Sequence, residues 1–545
     1  MSRYRLSITI ALTVVAFALS YQSTPFVKQR DSDNQFSACK VAGDIKIISA
    51  EPHSIEHPEA RAKMRDYLAK RLNQMQVSSI CYSYDSVPSR LKIPIKITNL
   101  YAKIDPFNGE ASGYLLLVAH LDSRFKTKVL DKEVYSFGAA DDGYGLGVIL
   151  ESVRLAMGYR KSWRQGIKIL FTDSEESDLE GMKYALSENP EIFENIGLVI
   201  NVEARGVKGP ALLFETSKGN ENIIELYKSA KYPVAYSLTS AVYNFLPNST
   251  DYSLLKDSFP GMNFSVIDNI NYYHTDLDNF NNISLSSIQH YGEQITPVIN
   301  KYLTNLTYSN STSLISEKES LFFTVPLFGL IVFSRSGFWI FNILILLLFI
   351  GVSLLLLKKK KIGVKGVLKN VAIISIYALV SSLAGFCIAL LCAAVTKQKY
   401  NLINLPYVGH EWLIIGALFI LFSSLYSISY LRGIRKMRFN PLESIIGNTS
   451  IQIIISIALY LFLGENFFVL IPVFLAISAS LLGVITKSGS FFIVAYFLII
   501  LLLLPFYYAL AVSLTIGSLP IIMALSTLFV SLLIPLNDCF NRKLA

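Results

Sequence analysis

Cysteine and charge are both scarce in this chain of 545 residues. It has five cysteines and no Cys-x-x-Cys pair, which argues against a zinc site built on thiolates. Charged residues make up 16% of the chain, against about 25% in soluble globular proteins. Together with 52% hydrophobic residues, this composition excludes disordered, collagen-like and small disulfide-rich proteins, and it favours a soluble part joined to a membrane part.

The charges are unevenly distributed. Residues 22–319 carry 31 basic and 36 acidic residues, a net of −5, whereas residues 320–545 carry a net of +12. Nucleic-acid-binding domains present a basic soluble face, so we expect no nucleic-acid partner. Cys39 and Cys81 lie in the acidic part and either pair in an oxidising compartment or remain two buried thiols.

Residues 1–21 have a positively charged start followed by an apolar run. This pattern predicts a signal anchor or transmembrane helix, although Ala16-Phe17-Ala18 also permits cleavage of a signal peptide. In both cases the positive flank stays in the cytoplasm, so we expect residues 22–319 on the extracytoplasmic side, which is periplasmic, extracellular or lumenal.

Residues 22–319 alternate apolar strand-like runs with helical stretches, which predicts an α/β domain with helices on both faces of a sheet. The predicted strands are 78–83, 93–101, 114–119, 167–172, 197–202, 211–215 and 262–267. The predicted helices are 58–75, 142–158, 179–187, 219–230 and 284–304.

Residues 320–545 predict an all-α membrane domain of about seven transmembrane helices, and hence a lipid bilayer as a partner. The expected spans are 338–357, 371–395, 412–431, 445–463, 467–485, 491–513 and 516–536, while 321–334 is too short and is expected at the interface or packed on the soluble domain. With the N-terminus inside, alternating spans place 13 Lys and Arg residues of this region on the inner side and three outside. No predicted span has a charged residue near its centre, which disfavours ion transport.

The residues that carry chemistry lie in the predicted exported domain, in five short motifs. Most follow a strand-like run or begin a helix, and the carboxyl ends of strands in an open α/β sheet meet in one crevice. The motifs are VAHLDS with His120 and Asp122, GAADDGYG with Asp141 and Asp142, FTDSEES with Glu175 and Glu176, INVEARG with Glu203, and YYHTDLD with His274.

Two imidazoles and several carboxylates without thiolates suit Zn²⁺ or a similar divalent ion. In the His-x-Asp motif, Asp122 can accept a hydrogen bond from the second ring nitrogen of His120 and fix its tautomer. The adjacent Glu175 and Glu176 can divide the work, one as a metal ligand and the other as a general base.

In their order and their strand and helix context, the five motifs resemble those of the co-catalytic di-zinc exopeptidases of the aminopeptidase Y and glutamate carboxypeptidase type, over residues 45–305. With the multi-spanning tail, the chain is similar to the membrane-bound branch of that family, which includes endoplasmic reticulum metallopeptidases and vacuolar membrane proteases. The resemblance implies a three-layer α/β/α zinc-exopeptidase domain, two Zn²⁺ ions and a peptide substrate.

The resemblance also implies a role for each motif residue. His120, Asp141 and Glu203 would hold one zinc ion, and Asp141, Glu176 and His274 the other, with Asp141 bridging. Glu175 would be the general base for a water shared by the two ions, and Asp122 would support His120. The expected activity is peptide hydrolysis, with an aminopeptidase favoured.

Two alternatives stay open. The chain could be a catalytically silent binding or scaffold protein on the same fold, or another hydrolase or cyclase of that fold, such as a carboxypeptidase or glutaminyl cyclase. Several neighbouring residues also have two interpretations: Asp142 as a cap or an orienting group, Asp251 as a support for the site or a helix cap, Tyr272 and Tyr273 as oxyanion donors or packing, and Arg205 as a ligand for a substrate carboxylate or half of an ion pair.

Overall fold

A computed structural model describes residues 2–21, 33–243, 248–435 and 440–541. These residues divide into two compact units. We call the described part of Thr24–Thr324, with Gly329–Arg335, the sheet unit. We call the described part of Met1–Ser23, Val325–Phe328 and Ser336–Ala545 the helical unit.

The described residues form eleven strands: β1 (Ser79–Val87), β2 (Ile95–Ile104), β3 (Tyr114–His120), β4 (Thr127–Val129), β5 (Lys132–Val134), β6 (Gly166–Thr172), β7 (Ile196–Ala204), β8 (Leu212–Thr216), β9 (Gly261–Val266), β10 (Ser320–Val325) and β11 (Gly329–Ser334). Seven of them form one mixed sheet in the order β1-β2-β6-β3-β7-β9-β8. Each of the seven predicted strand runs overlaps one strand of this sheet. Strands β6, β3, β7 and β9 run parallel to one another, and β1, β2 and β8 pair antiparallel with their neighbours.

The helices of the sheet unit cover both faces of this sheet. They are α2 (Ala38–Ile48), α3 (Pro58–Gln74), α4 (Gly143–Met157), α5 (Glu180–Glu188), α6 (Glu221–Tyr227), α7 (Ser237–Tyr243) and α8 (Leu285–Thr304). On one face α4 packs against β3, β7 and α8, and on the other α5 packs against β1 and β2. Every residue of β3, β6 and β7 is buried, which is why these strands read as continuous apolar runs in the sequence.

The strand order places a switch point at β3. Chain order runs from β3 to β6 on one side of it and then to β7 on the other, so the connection from the carboxyl end of β3 and the connection from the carboxyl end of β6 run in opposite directions. Ligand sites in open α/β sheets form in the crevice at such a point. The three-layer α/β/α architecture expected for this part of the chain is present.

Two expectations about the sheet unit need adjustment. Residues 321–334 form most of the β10–β11 hairpin, in which Phe322 is buried in the main core and Phe323 bridges to Tyr236. Through Phe322 and Phe323 the segment packs on the sheet unit, which is one of the two placements expected, and it does so as strands. Cys39 on α2 and Cys81 on β1 are both exposed and no disulfide joins them, so neither the pairing nor the pair of buried thiols is present.

Seven helices of the described residues are long and apolar enough to cross a membrane, and each overlaps one predicted span. They are α9 (Arg335–Lys358), α10 (Val364–Val395), α11 (Glu411–Arg435), α12 (Pro441–Leu463), α13 (Phe467–Thr486), α14 (Ser490–Leu514) and α15 (Leu519–Asn541). Buried polar side chains join some of these helices, as when Asn448 donates to Ser531 Oγ at 2.6 Å and Asn466 to Asn342 Oδ1 at 2.7 Å.

The N-terminal segment forms a helix, α1 (Ser2–Tyr21), within the helical unit. Arg5 donates to the carbonyl of Phe540 at 2.5 Å, and Thr9 donates to Asn537 Oδ1 at 2.7 Å. The earlier residue of α1 contacts the later residue of α15, so the two helices are antiparallel. The start of α1 therefore lies at the end of the unit where α15 finishes.

Candidate metal centre

The imidazole of His120 lies at the centre of the motif residues. His120 is the last residue of β3 and is buried. Its Nδ1–H donates to the backbone carbonyl of Asp122 at 2.8 Å, which leaves Nε2 to face Asp141 Oδ1 at 3.2 Å and Glu203 Oε2 at 3.7 Å. The tautomer is therefore fixed by a backbone oxygen, because the Asp122 carboxylate lies farther away, at 3.6 Å.

The Asp122 carboxylate instead holds the loop that carries the two glutamates. It accepts the backbone N–H of Glu175 at 2.9 Å and that of Glu176 at 3.3 Å. These residues form a short 3-10 turn three residues beyond β6. Asp122 thus links the end of β3 to the turn after β6, which differs from the direct support of His120 expected from the His-x-Asp spacing.

Asp141 stands between the two histidines. Its Oδ1 faces His120 Nε2, and its Oδ2 lies 3.4 Å from His274 Nε2. The next residue, Asp142, is the N-cap of α4, because its Oδ1 accepts from Gly145 N at 2.9 Å, and its Oδ2 accepts from His120 N at 3.2 Å. The peptide bond between Asp141 and Asp142 is cis.

Gly145 allows the start of α4 to lie against β7. A Cβ at this position would meet the Asp142 carboxylate at 2.3 Å and the carbonyl of Val202 at 2.5 Å. Any larger residue would push the helix from the strand that carries Glu203, so the glycine keeps Asp141 and Glu203 on the same side of the cluster.

Glu176, Glu203 and His274 complete the cluster. Glu176 Oε1 lies 2.9 Å from His274 Nε2. Glu203 is the penultimate residue of β7, and its Oε1 accepts from Asn201 Nδ2 at 3.2 Å. The ring of His274 stacks on Tyr273 with centroids 3.6 Å apart, so this tyrosine packs on a candidate ligand.

The structure gathers the five predicted ligands into two groups that share Asp141. One group is His120, Asp141 and Glu203, the other is Asp141, Glu176 and His274, and within each group the candidate ligand atoms lie within 4.8 Å of one another. Both groups consist of imidazole nitrogens and carboxylate oxygens, which are ligands that Zn²⁺ accepts.

Three atoms of the second group show that the site fits a cation. Asp141 Oδ2, Glu176 Oε1 and His274 Nε2 are buried; His274 Nε2 lies 3.4 Å and 2.9 Å from the two oxygens, but none of the three atoms makes a hydrogen bond of acceptable geometry with the described residues. Buried polar atoms are almost always satisfied, and leaving one without a partner costs about 1–3 kcal/mol. All three point toward one another, and a metal ion among them would satisfy all of them.

The pKa values of the adjacent Glu175 and Glu176 are shifted in opposite directions. Burial raises the pKa of Glu175 well above its usual value, and burial likewise raises that of Glu203 to about 8. Burial would also raise the pKa of Glu176, but the imidazole of His274 and the guanidinium of Arg124 outweigh it and hold that pKa well below its usual value. Opposite shifts in neighbouring carboxylates are typical of a division between a proton carrier and a fixed anion.

Two residues around the cluster were not anticipated. Arg124 Nη1 donates to Glu176 Oε2 at 2.9 Å, and nothing in the sequence marks this arginine. The carboxylate of Asp278 accepts the backbone N–H of Ala140 at 2.7 Å and that of Asp141 at 3.3 Å, so it holds the loop that carries the shared ligand. Asp278 lies four residues after His274, but the motif YYHTDLD does not show which of its two aspartates is buried.

Asp251 is not a helix cap. The N-cap of its 3-10 turn is Thr250, and the Asp251 carboxylate accepts from the hydroxyl of Thr172, which pairs with His120 across β3 and β6. Asp251 therefore lies behind the cluster, in contact with a residue next to a candidate ligand.

Comparison with known proteins identifies the sheet unit. Residues 99–299 match the model of Peptidase family M28, and this range includes all five candidate ligands and Glu175. Endoplasmic reticulum metallopeptidase 1 of Mus musculus is 30% identical over 221 residues, covering 40% of this chain and 23% of the relative. The Homo sapiens protein of the same name is 27% identical over 384 residues, covering 66% and 41%.

Vacuolar membrane protease of Candida dubliniensis is 27% identical over 260 residues, covering 45% of this chain and 26% of the relative. This chain thus spans between about a quarter and two fifths of the length of these relatives.

Among solved structures, Porphyromonas gingivalis glutaminyl cyclase overlaps 50% of this chain and all of its own, with 21% identity and a TM-score of 0.40. A zinc aminopeptidase from Bacillus subtilis overlaps 52% of this chain and 99% of its own, with 12% identity and a TM-score of 0.39. The sheet, the motif order and the family match agree: this multi-pass membrane protein contains a domain of Peptidase family M28.

Proposed function

We propose that the protein is a membrane-anchored zinc metallopeptidase with two zinc ions in its centre. His120, Asp141 and Glu203 would hold one ion, and Asp141, Glu176 and His274 the other. The observation that carries this proposal is the geometry of the two candidate groups, which are complete and share one carboxylate. A shared carboxylate is the usual means of holding two metal ions about 3.5–4 Å apart.

Charge supports two ions rather than one. The cluster brings together the carboxylates of Asp122, Asp141, Asp142, Glu175, Glu176 and Glu203; Glu175 is half-buried and the other five are buried. Arg124 forms an ion pair with one of these carboxylates, that of Glu176. Uncompensated buried anions are strongly unfavourable, so a single dication would leave a large negative charge, and two dications nearly balance it.

Zinc at this centre would supply positive charge and Lewis acidity toward a peptide carbonyl. Glu175 lies next to a ligand but belongs to neither group, and its raised pKa suits a carboxylate that accepts and returns a proton. It would take a proton from the attacking water and pass it to the leaving amine. Asp122 would hold Glu175 in place through the backbone N–H.

The substrate of such a centre is a peptide, and we propose aminopeptidase activity as its specific form, following the resemblance of the five motifs. A missing ligand or base would favour the silent-scaffold alternative, but the five ligands are clustered and Glu175 is present beside them. Nothing in the geometry favours a cyclase.

We also propose that the sheet unit faces the extracytoplasmic side. Two observations support this orientation: the concentration of Lys and Arg in one set of loops, and the antiparallel packing of α1 on α15, which puts the start of α1 and the end of α15 at one end of the helical unit. A reporter fused after Lys361 should then be cytoplasmic, and an exported signal there would overturn the orientation.

The catalytic proposal is tested with the full chain in detergent. Wild type should contain two zinc ions per chain by elemental analysis and should hydrolyse aminoacyl amides. Glu175→Gln should retain both ions and lose about 10²- to 10⁴-fold in kcat. The matched control is Glu188→Gln, the same change at the exposed end of α5, which should behave as wild type. A zinc-loaded wild type that cleaves nothing in a broad peptide library would refute the proposal.

A further inference from the structure

Arg205 lies on the same strand edge as the candidate ligand Glu203. It follows β7 directly, and its backbone N–H still donates to the carbonyl of Val266 at 2.9 Å, so the strand pairing continues to this residue. Side chains two residues apart on a strand lie on the same face, roughly 7 Å apart. Arg205 is therefore about two residues of extended peptide farther along the crevice than Glu203.

The guanidinium of Arg205 has no carboxylate within ion-pair distance among the described residues. Its polar contact is the side-chain amide of Asn248, whose oxygen, in the orientation that hydrogen bonding requires, accepts from Nη1 at 3.1 Å and Nη2 at 3.3 Å. Two other arginines near the cluster are ion-paired, Arg61 with Asp173 and Arg124 with Glu176. The ion-pair interpretation of Arg205 left open by the sequence is thus not supported.

The side chain of Arg205 is only half-buried, so its guanidinium can be reached from the crevice. It follows the strand that carries the candidate ligand Glu203 and lies on the same face of that strand. A partly shielded cation beside a catalytic centre binds an anionic group well.

We propose that Arg205, supported by Asn248, binds a carboxylate of the peptide substrate close to the scissile bond. The proposal rests on the peptidase function proposed above and narrows its substrate class to peptides with a negative charge within about two residues of the cleaved bond. Either the free C-terminus of a di- or tripeptide or an acidic side chain supplies this group. The planar guanidinium can bind both carboxylate oxygens, which an ammonium group cannot do.

Paired substrates test the proposal in the zinc-loaded full chain. One pair is Leu-Ala and Leu-Ala amide, which differ in the C-terminal carboxylate, and the other is Leu-Asp amide and Leu-Asn amide, which differ in the side chain. Wild type should prefer the charged member of at least one pair by about tenfold or more in kcat/KM. The pair that shows the preference identifies the source of the carboxylate.

Variants connect this preference to the arginine. The ratio should fall to near one in Arg205→Gln and to an intermediate value in Arg205→Lys, which keeps the charge but loses the planar fork. Arg164→Gln is the matched control, because Arg164 is exposed and precedes the start of β6. It therefore lies at the amino ends of the parallel strands, whereas the metal centre lies at their carboxyl ends. Zinc content equal to that of wild type shows that each variant is folded.

Binding separates failure of this inference from failure of the proposed function. Peptide affinities are measured by calorimetry on zinc-loaded Glu175→Gln, with and without Arg205→Gln. A carboxylate preference in binding that depends on Arg205 supports the inference even if wild type hydrolyses none of the four peptides, which would count against the peptidase proposal alone. Equal treatment of both members of each pair, or a ratio that survives Arg205→Gln, overturns the inference.

Discussion

Asp278→Asn should weaken zinc binding without unfolding the protein. One oxygen of Asp278 accepts the backbone N–H of Ala140, and the other accepts the N–H of Asp141 and the hydroxyl of Ser136 at 3.2 Å. Asparagine has nearly the same shape but replaces one acceptor oxygen with an NH₂ group. The Ser136 hydroxyl can rotate to accept a hydrogen bond, whereas a backbone N–H cannot, so one backbone hydrogen bond is lost.

The size of the effect follows from that single bond. A hydrogen bond to a charged acceptor contributes about 1.5–3 kcal/mol, and 1.4 kcal/mol corresponds to a factor of ten in an equilibrium constant. Because the bond holds the loop that carries the shared ligand Asp141, its loss should appear in both metal groups. We therefore expect zinc affinity to fall by about 10- to 100-fold, the range usual for residues that orient a metal ligand.

The assay is chelator competition on the full chain in detergent, with zinc occupancy read by elemental analysis. Asp276→Asn is the matched control, because Asp276 lies in the same turn and is exposed. At saturating zinc, Asp278→Asn should recover most of its activity, since the ligands themselves are unchanged. A zinc affinity within twofold of wild type would refute the idea that Asp278 holds the Asp141 loop.

Two further predictions concern residues outside the ligand set. Arg124→Gln removes the cation that binds Glu176 Oε2, so zinc should be lost to chelators faster while KM at saturating zinc stays near that of wild type; unchanged zinc loss would contradict this role. Burial lowers the pKa of His290 to about 4, against 6.5 in the unfolded chain. The unfolded state thus binds more protons between these values, and the free energy of unfolding should fall by about 3 kcal/mol as the pH drops from 6.5 to 4. His290→Gln should reduce this acid sensitivity in urea-dependent pulse proteolysis, and an identical pH dependence would count against it.

The sequence predicted the sheet well because its strands are buried on both faces. Continuous apolar runs such as Tyr114–His120 stand out from their surroundings, and each of the seven runs corresponds to a strand. The hairpin over residues 320–334 was missed as strands because the same apolar character suits a segment at a membrane surface. Only tertiary contacts, such as the burial of Phe322, distinguish the two interpretations.

Motif residues could be predicted because their chemistry requires particular residue types at fixed spacing. The residues that orient them could not, because orientation depends on contacts between distant parts of the chain. Asp122 illustrates the limit: its spacing from His120 suggested a direct hydrogen bond, but a backbone carbonyl fulfils that role and the carboxylate holds the turn of Glu175 instead.

Two arginines near the same cluster show what the structure adds to residue identity. Both Arg124 and Arg205 follow acidic motif residues, but the sequence drew attention only to Arg205 and left its partner open. In the structure the charge of Arg124 is matched by Glu176, whereas the guanidinium of Arg205 hydrogen-bonds to the neutral Asn248 and forms no ion pair among the residues described. A matched cation changes the properties of its ligand, and an unmatched one is available to a molecule from outside. The substitutions should therefore act on separate quantities: Arg124→Gln on zinc retention, and Arg205→Gln on discrimination between charged and neutral peptides. If both substitutions changed both quantities equally, the centre would behave as a single electrostatic field, and neither arginine would have the specific partner assigned to it.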